Sequence, residues 1–155
     1  MVINRNYLIP IKTDVRSEAD IEYETIPADY ILSQMEQAQN EINIVIMDAC
    51  RNTPWTGSFT KSVKDGLTKM DAPAAQKGGM IAFATAPGQV AYEGDGRNGI
   101  FTKHLLAILK GAPHKGITEL FLEVNRLVTQ ETNGKQSPWE HYSLTEQFCF
   151  GRMHS

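Results

Sequence analysis

Two short and almost wholly apolar runs, residues 42–47 (INIVIM) and 80–84 (MIAFA), constrain the fold of this chain most strongly. Each run has the length of a strand, and neither alternates polar with apolar residues as a half-exposed strand would. Continuous apolar runs of this length are typical of strands that are buried on both faces, as in a parallel sheet. We therefore expect both runs to be strands inside one sheet.

Segments with helical periodicity surround these strands. Residues 27–40 begin with a proline, which suits the first turn of a helix, and their apolar residues recur at helical spacing. Two further helices are predicted with Asn98 and Thr118 as their caps. Strands that alternate with helices predict an α/β fold with a mostly parallel sheet and helices on both of its faces.

Two other segments complete the prediction of secondary structure. Residues 12–24 are polar and acidic, which predicts a surface loop, and residues 148–150 predict a last strand. The whole chain has 155 residues, the size of one ordinary domain. We expect residues 1–150 to form that domain and residues 151–155 to form a tail.

Composition excludes several classes of function. The net charge is −3 and no basic stripe is present, so we expect no nucleic-acid partner. No apolar run approaches the roughly 20 residues of a membrane helix, so we expect no membrane partner. Two cysteines cannot form a disulfide framework, which favours a cytoplasmic protein. The acidic residues between Asp14 and Glu24 are scattered and no cysteine or histidine spacing suits zinc, so we expect neither a metal nor another cofactor.

Unusual sequence follows both apolar runs. The first run leads into Asp48, Ala49 and Cys50, and the second leads into residues 85–88 (TAPG). In parallel sheets, ligands bind at the carboxyl ends of the strands. If the two strands are neighbours, their ends line one crevice.

Cys50 has two interpretations at this point. A free cysteine at the end of a core strand is most often a small buried hydrophobe. The alternative is a nucleophile, since the end of a strand leaves the sulfur at the rim of the sheet; a nucleophilic thiolate also needs a base or a positive environment nearby.

The residues around Cys50 favour the second interpretation through a resemblance. The segments IVIMDACRNTP, GGMIAFATAPGQVAYEGDGRNGIFTKHLL and SPWEHYSL, with NYLIP near the start, resemble the bacterial caspase-like peptidases, which are the orthocaspase and metacaspase relatives of the caspases. The resemblance covers nearly the whole chain. It implies a caspase-like three-layer sandwich in which Cys50 attacks the scissile carbonyl and its backbone N–H helps to hold the oxyanion.

The same resemblance implies a histidine base that this sequence lacks. In the family, that histidine belongs to a His-Gly motif on the strand before the NYLIP stretch, whereas all four histidines here follow Cys50: His104, His114, His141 and His154. We therefore expect an N-terminally incomplete caspase-like domain. The open sheet edge would favour a homodimer. The alternative function is an inactive caspase-like fragment or pseudo-enzyme that acts as an interaction or regulatory module.

The resemblance also implies a substrate class. Ala91, Tyr92 and Glu93 occupy the places where caspases have a Ser-Trp-Arg run, and Asp48 replaces a caspase glutamine. An acidic subsite binds a guanidinium through charge-assisted hydrogen bonds, so we expect a peptide or protein substrate cleaved after Arg or Lys. The alternatives are structural: Asp48 caps the loop after its strand, Glu93 belongs to a solvated loop, and Tyr92 is an exposed tyrosine.

Overall fold

A computed structural model describes residues 5–49, 70–86, 91–94 and 96–151. The helices and strands in chain order are β1 (Tyr7–Leu8), α1 (Glu18–Glu24), β2 (Ile26–Pro27), α2 (Ala28–Gln37), β3 (Asn43–Met47), β4 (Gly79–Phe83), α3 (Ile100–Gly111), α4 (Ile117–Glu131) and β5 (Trp139–Tyr142).

The two apolar runs form neighbouring parallel strands, as predicted. β3 pairs with β4 in register from Asn43 opposite Gly79 to Met47 opposite Phe83. β5 pairs with the other edge of β4 in the antiparallel direction, which places Trp139 opposite Phe83. The described sheet is therefore mixed and has the order β3-β4-β5, while β1 and β2 form a separate antiparallel pair.

The two faces of β4 supply two separate cores. All five residues of the strand are buried. Because side chains alternate across a strand, Met80 and Ala82 pack on one face with α3 and α4, while Ile81 and Phe83 pack on the other face with α2. Helices therefore cover both faces of the sheet, which confirms the α/β fold predicted from the sequence.

Two predictions of secondary structure were wrong. Residues 12–24 contain α1 rather than only a loop: Ser17 and Asp20 form a reciprocal capping box at its start, and Ile21 is buried beneath it. The Ser-x-x-Asp spacing was a signal for this helix that the polar composition obscured. The last strand is Trp139–Tyr142 and not residues 148–150, because pairing with β4, rather than apolar content, makes a strand of the sequence WEHY.

The two C-terminal helices begin at glycine rather than at the predicted polar caps. Gly99 precedes α3 and Gly116 precedes α4, and neither helix has a side-chain cap. Backbone carbonyls from distant segments accept the first N–H groups instead: Tyr92 O binds Ile100 N at 3.2 Å, and Phe148 O binds Ile117 N at 2.7 Å. Tertiary contacts thus satisfy donors that a helix cannot satisfy internally.

Candidate active site

The carboxyl ends of β3 and β4 lie side by side at one edge of the sheet. The parallel ladder ends where Met47 pairs with Phe83, and the backbone N–H of Ala84 donates to the Met47 carbonyl at 2.9 Å. Asp48 follows directly beyond this last hydrogen bond. The prediction that the two strand ends share one edge is therefore confirmed, and this edge is where ligands of α/β sheets bind.

Asp48 is exposed, and its carboxylate lies against the first turn of α3. Oδ2 accepts a hydrogen bond from the hydroxyl of Thr102. A Cβ added to Gly99 would lie 3.5 Å from the same oxygen, which is an ordinary contact distance. The amino end of a helix carries a partial positive charge, which attracts a negative side chain at this position. Asp48 is thus both held in place and open to solvent.

The second predicted segment, Ala91 to Glu93, is anchored by its backbone and by Ala91, and it presents the side chains of Tyr92 and Glu93 outward. Ala91 is 6% exposed and belongs to the core that α3 and α4 form. The backbone N–H of Tyr92 donates to Gln136 Oε1 at 2.9 Å, and its carbonyl accepts from Ile100. The Tyr92 side chain is 41% exposed and Glu93 is also exposed.

The amino end of α3 brings these two parts of the predicted site together. Glu93 forms an isolated antiparallel bridge with Gly99. A Cβ on Gly99 would be 3.5 Å from Tyr92 O and 3.5 Å from Asp48 Oδ2. Asp48, Tyr92 and Glu93 therefore meet around one glycine although they are far apart in the sequence. Two negative side chains face solvent at this place.

Two residues of this arrangement, Thr102 and Gln136, were not predicted from the sequence. Thr102 binds Asp48, and Gln136 links Tyr92 to the Ala84 carbonyl, which accepts from Gln136 Nε2 at 2.7 Å. Gln136 is completely buried, with 0% of its surface exposed. A buried glutamine must have hydrogen-bond partners. The polar segment around Gln136, however, did not indicate that this residue is buried.

Cys50, the predicted nucleophile, lies outside the described residues, as do residues 51–69, 87–90 and Asp95. The described residue nearest to Cys50 in sequence is Ala49, which is partly buried. Its neighbour Asp48 fixes the direction in which the chain leaves β3, toward α3.

The described histidines have contacts away from the predicted site. His104 Nε2 lies 2.7 Å from Glu131 Oε2. Hydrogen bonds from Lys103 and then His104 lower the pKa of Glu131. His114 is exposed, and His154 lies outside the described residues.

His141 lies in β5, two residues after Trp139. It lies opposite Ile81, in the middle of the ladder rather than at its carboxyl end. Its Nδ1 accepts from the N–H of Ala72 at 3.2 Å, and its ring stacks on Trp139 with centroids 6.3 Å apart. This ring therefore stabilises the segment that leads into β4.

The outer edge of β3 is one of the two edges of the described sheet, and β5 forms the other. Asn43 N and Met47 O point toward β4, so the alternation of a strand turns the backbone groups of Ile44 and Ile46 away from it. The Ile46 side chain is 38% exposed. A cavity of about 280 Å³ lies between this strand and α2, with mostly apolar lining that includes Leu32 and Val45.

The described ranges lack a metal-binding cluster and a membrane-spanning helix. Within residues 5–49, 70–86, 91–94 and 96–151, no group of three or more His, Cys, Asp or Glu side chains is placed to hold a metal ion. Of the helices described in these ranges, none combines the length and apolar content needed to cross a bilayer.

Comparison with known proteins identifies the family. A family model described as the caspase domain of C14 peptidases matches residues 1–149, while no curated protein matches the sequence. One similar solved structure is caspase-1 from Spodoptera frugiperda, which is 16% identical, with a TM-score of 0.49 over 83% of this chain and 72% of that chain. The family model spans nearly the whole sequence and agrees with the mixed sheet and its covering helices. The chain therefore belongs to the caspase-domain family of cysteine peptidases.

Proposed function

We propose that this chain is a cysteine endopeptidase that cleaves peptide bonds after arginine or lysine. Cys50 is the nucleophile in this proposal, and Asp48 and Glu93 bind the basic side chain that precedes the scissile bond. Tyr92 lines the same subsite, and the buried Ala91 anchors its segment in the core. The observation that carries the proposal is the convergence of Asp48 and Glu93 on Gly99, at the carboxyl edge of the sheet where Cys50 follows Asp48 in the sequence.

The proposed chemistry is that of a cysteine thiol, which Cys50 supplies two residues after Asp48 in the sequence. The Cys50 thiolate adds to the scissile carbonyl, and the tetrahedral intermediate collapses to a thioester as the amine leaves with a proton. Water then hydrolyses the thioester and releases the new carboxylate and the free thiol. In the family that the sequence resembles, a histidine takes the proton of the thiol and delivers it to the leaving amine; none of His104, His114, His141 and His154 is assigned that role in this proposal.

Charge and geometry support the basic specificity. A guanidinium presents a planar fork of N–H donors, and two carboxylates approaching from different segments satisfy more of these donors than one carboxylate can. Both carboxylates are exposed before a ligand binds, and a bound side chain would remove them from water. Their attraction to a cation becomes stronger when water is excluded.

Substitution of the two carboxylates tests the subsite. Loss of one partner from a desolvated charge pair costs about 2 kcal/mol or more, which corresponds to about thirtyfold in kcat/KM. We therefore expect Asp48→Asn and Glu93→Arg each to reduce kcat/KM for an arginyl peptide by at least about this factor. The matched control is Glu119→Gln, which removes one negative charge from the exposed first turn of α4. Full turnover by both subsite variants would refute the assignment.

The second candidate function is a non-catalytic caspase-like module. It is favoured by the contacts of His104 and His141, which engage Glu131 and Ala72 and neither of the described carboxylates of the site. An arginyl chloromethyl ketone peptide separates the two functions when intact mass and peptide mapping follow the reaction. An adduct on Cys50 supports the peptidase, and Cys149 serves as an internal control for non-specific alkylation. A chain that binds the peptide but forms no adduct supports the module.

A further inference from the structure

We infer that Gln136 is a positioning residue that sets the spacing between Asp48 and Glu93 and thereby the preference for arginine over lysine. This inference rests on the proposed function. It starts from a glutamine that is completely buried and that joins the end of the sheet to the segment carrying Glu93.

A series of hydrogen bonds through this side chain links Met47, the residue before Asp48, to Tyr92, the residue before Glu93. Met47, the residue before Asp48, accepts through its carbonyl from Ala84 N at 2.9 Å. The Ala84 carbonyl accepts from Gln136 Nε2 at 2.7 Å. Gln136 Oε1 then accepts from the N–H of Tyr92, the residue before Glu93, at 2.9 Å. One side-chain amide thus connects the two predicted carboxylates through their own backbone neighbours.

The backbone of Gln136 is itself fixed. Its N–H donates to the hydroxyl oxygen of Thr132 at 3.0 Å, and that hydroxyl lies 2.8 Å from the Val128 carbonyl near the end of α4. Thr132 is also buried. Gln136 therefore lies in the segment after α4 with its backbone tied to the end of that helix, and a buried amide with both of its polar atoms bonded has little freedom to reorient.

Tyr92 is consequently held at both of its backbone polar groups, by Gln136 at the N–H and by Ile100 at the carbonyl. Removal of the first bond leaves the Tyr92 backbone held only on its carbonyl side, at the bridge with the start of α3. A guanidinium fork needs its carboxylates at a defined separation, whereas an ammonium is a compact charge with rotatable donors. Loss of Gln136 should therefore weaken the binding of arginine more than the binding of lysine.

The test compares Gln136→Met with Val124→Ala. Methionine keeps most of the side-chain volume but supplies neither hydrogen bond. Val124 is equally buried and packs in the same core from α4, so its truncation destabilises the fold without touching the hydrogen-bond series. The probes are Nα-acetyl-arginine amide and Nα-acetyl-lysine amide, titrated by NMR, and the readout is the ratio of their two dissociation constants. We expect Gln136→Met to reduce the arginine preference about fivefold, and Val124→Ala to leave it unchanged.

A second measurement uses the unmodified protein, so it does not depend on whether a variant folds. In the unmodified protein, the backbone N–H of Tyr92 and the side-chain NH₂ of Gln136 should exchange slowly with solvent, because both are bonded in a buried place. Rapid exchange of either group would overturn the inference.

The outcomes separate this inference from the proposed function. If the unmodified protein binds neither probe, the basic subsite is refuted and the inference falls with it. If it binds both probes equally well, the basic subsite stands and only the inference is refuted. If the unmodified protein prefers arginine and Gln136→Met keeps the same preference, only the positioning role is refuted. A reduced preference in Val124→Ala of the same size would also overturn that role, because general loosening of the core would then explain the effect.

Discussion

Replacement of Thr102 by valine isolates one contact of the proposed subsite. Thr102 lies in the first turn of α3, and its hydroxyl donates to Asp48 Oδ2. Valine has nearly the same shape and the same branching at Cβ, so the substitution removes a donor and leaves the packing of the turn intact. Asp48 remains beside Gly99 but can then rotate away from the Glu93 segment.

The size of the expected effect follows from the exposure of the pair. A hydrogen bond to a charged group contributes about 1.5–3 kcal/mol when it is shielded from water. Asp48 is exposed in the free protein, so water replaces part of the lost interaction and about 1 kcal/mol is the appropriate magnitude. This energy corresponds to a decrease of about fivefold in kcat/KM. The decrease should appear mainly in KM, because the contact orients a binding group and does not touch the reacting atoms.

The assay measures kcat and KM for an arginyl peptide in Thr102→Val, Thr102→Ser and the unmodified protein. Serine restores the hydroxyl without the methyl group, so we expect it to recover most of the activity. Thermal unfolding of the three proteins checks that the fold is equally stable. A valine variant with unchanged KM, or a serine variant as weak as the valine variant, would show that the Thr102 hydroxyl does not position Asp48.

Two further predictions concern stability and association. Burial raises the pKa of Glu140 in the folded chain. As the pH rises, the Glu140 carboxyl therefore ionises in the unfolded chain before it ionises in the folded chain, and the folded state loses stability. Glu140→Gln should raise Tm at pH 7, and this gain should shrink toward about pH 4. We also propose that the outer edge of β3 pairs with a second copy of the chain, so Ile46→Lys should reduce the dimer fraction measured by light scattering. Ile11→Lys, at a side chain that is 92% exposed, is the control, and equal dimer fractions in both variants would exclude the edge as the interface.

The sequence predicted those parts of the fold that local burial determines. β3 and β4 are apolar throughout because both faces of the sheet are covered, and the pattern therefore identified them within one residue at each end. The helices α2, α3 and α4 followed from apolar spacing in the same way. β5 was not predicted, because an edge strand needs only a partner strand. The sequence WEHY has neither the apolar content nor the alternation that identifies a strand from sequence.

The site could be predicted only in part. Asp48 and Glu93 were predicted from the resemblance to the caspase-like peptidases, and in the structure both residues lie beside Gly99. Gln136 and Thr102 could not come from local sequence, because their partners are distant: Gln136 bonds to groups 52 and 44 residues away, and Thr102 bonds to one 54 residues away. No periodicity or cap preference encodes contacts over such separations.

The start of α3 shows why these distant contacts matter for the proposed chemistry. A polar side chain at the position before α3 would satisfy the first N–H of the helix locally, but the chain has Gly99 there and leaves that N–H to the Tyr92 carbonyl. The Asp48 carboxylate lies against the same turn, where it accepts from the Thr102 hydroxyl. The first turn of α3 thus relies on the Tyr92 segment, and Gln136 holds that segment at the Tyr92 N–H. We therefore expect a variant that frees the Tyr92 segment to fray the first turn of α3 and to separate the two carboxylates together.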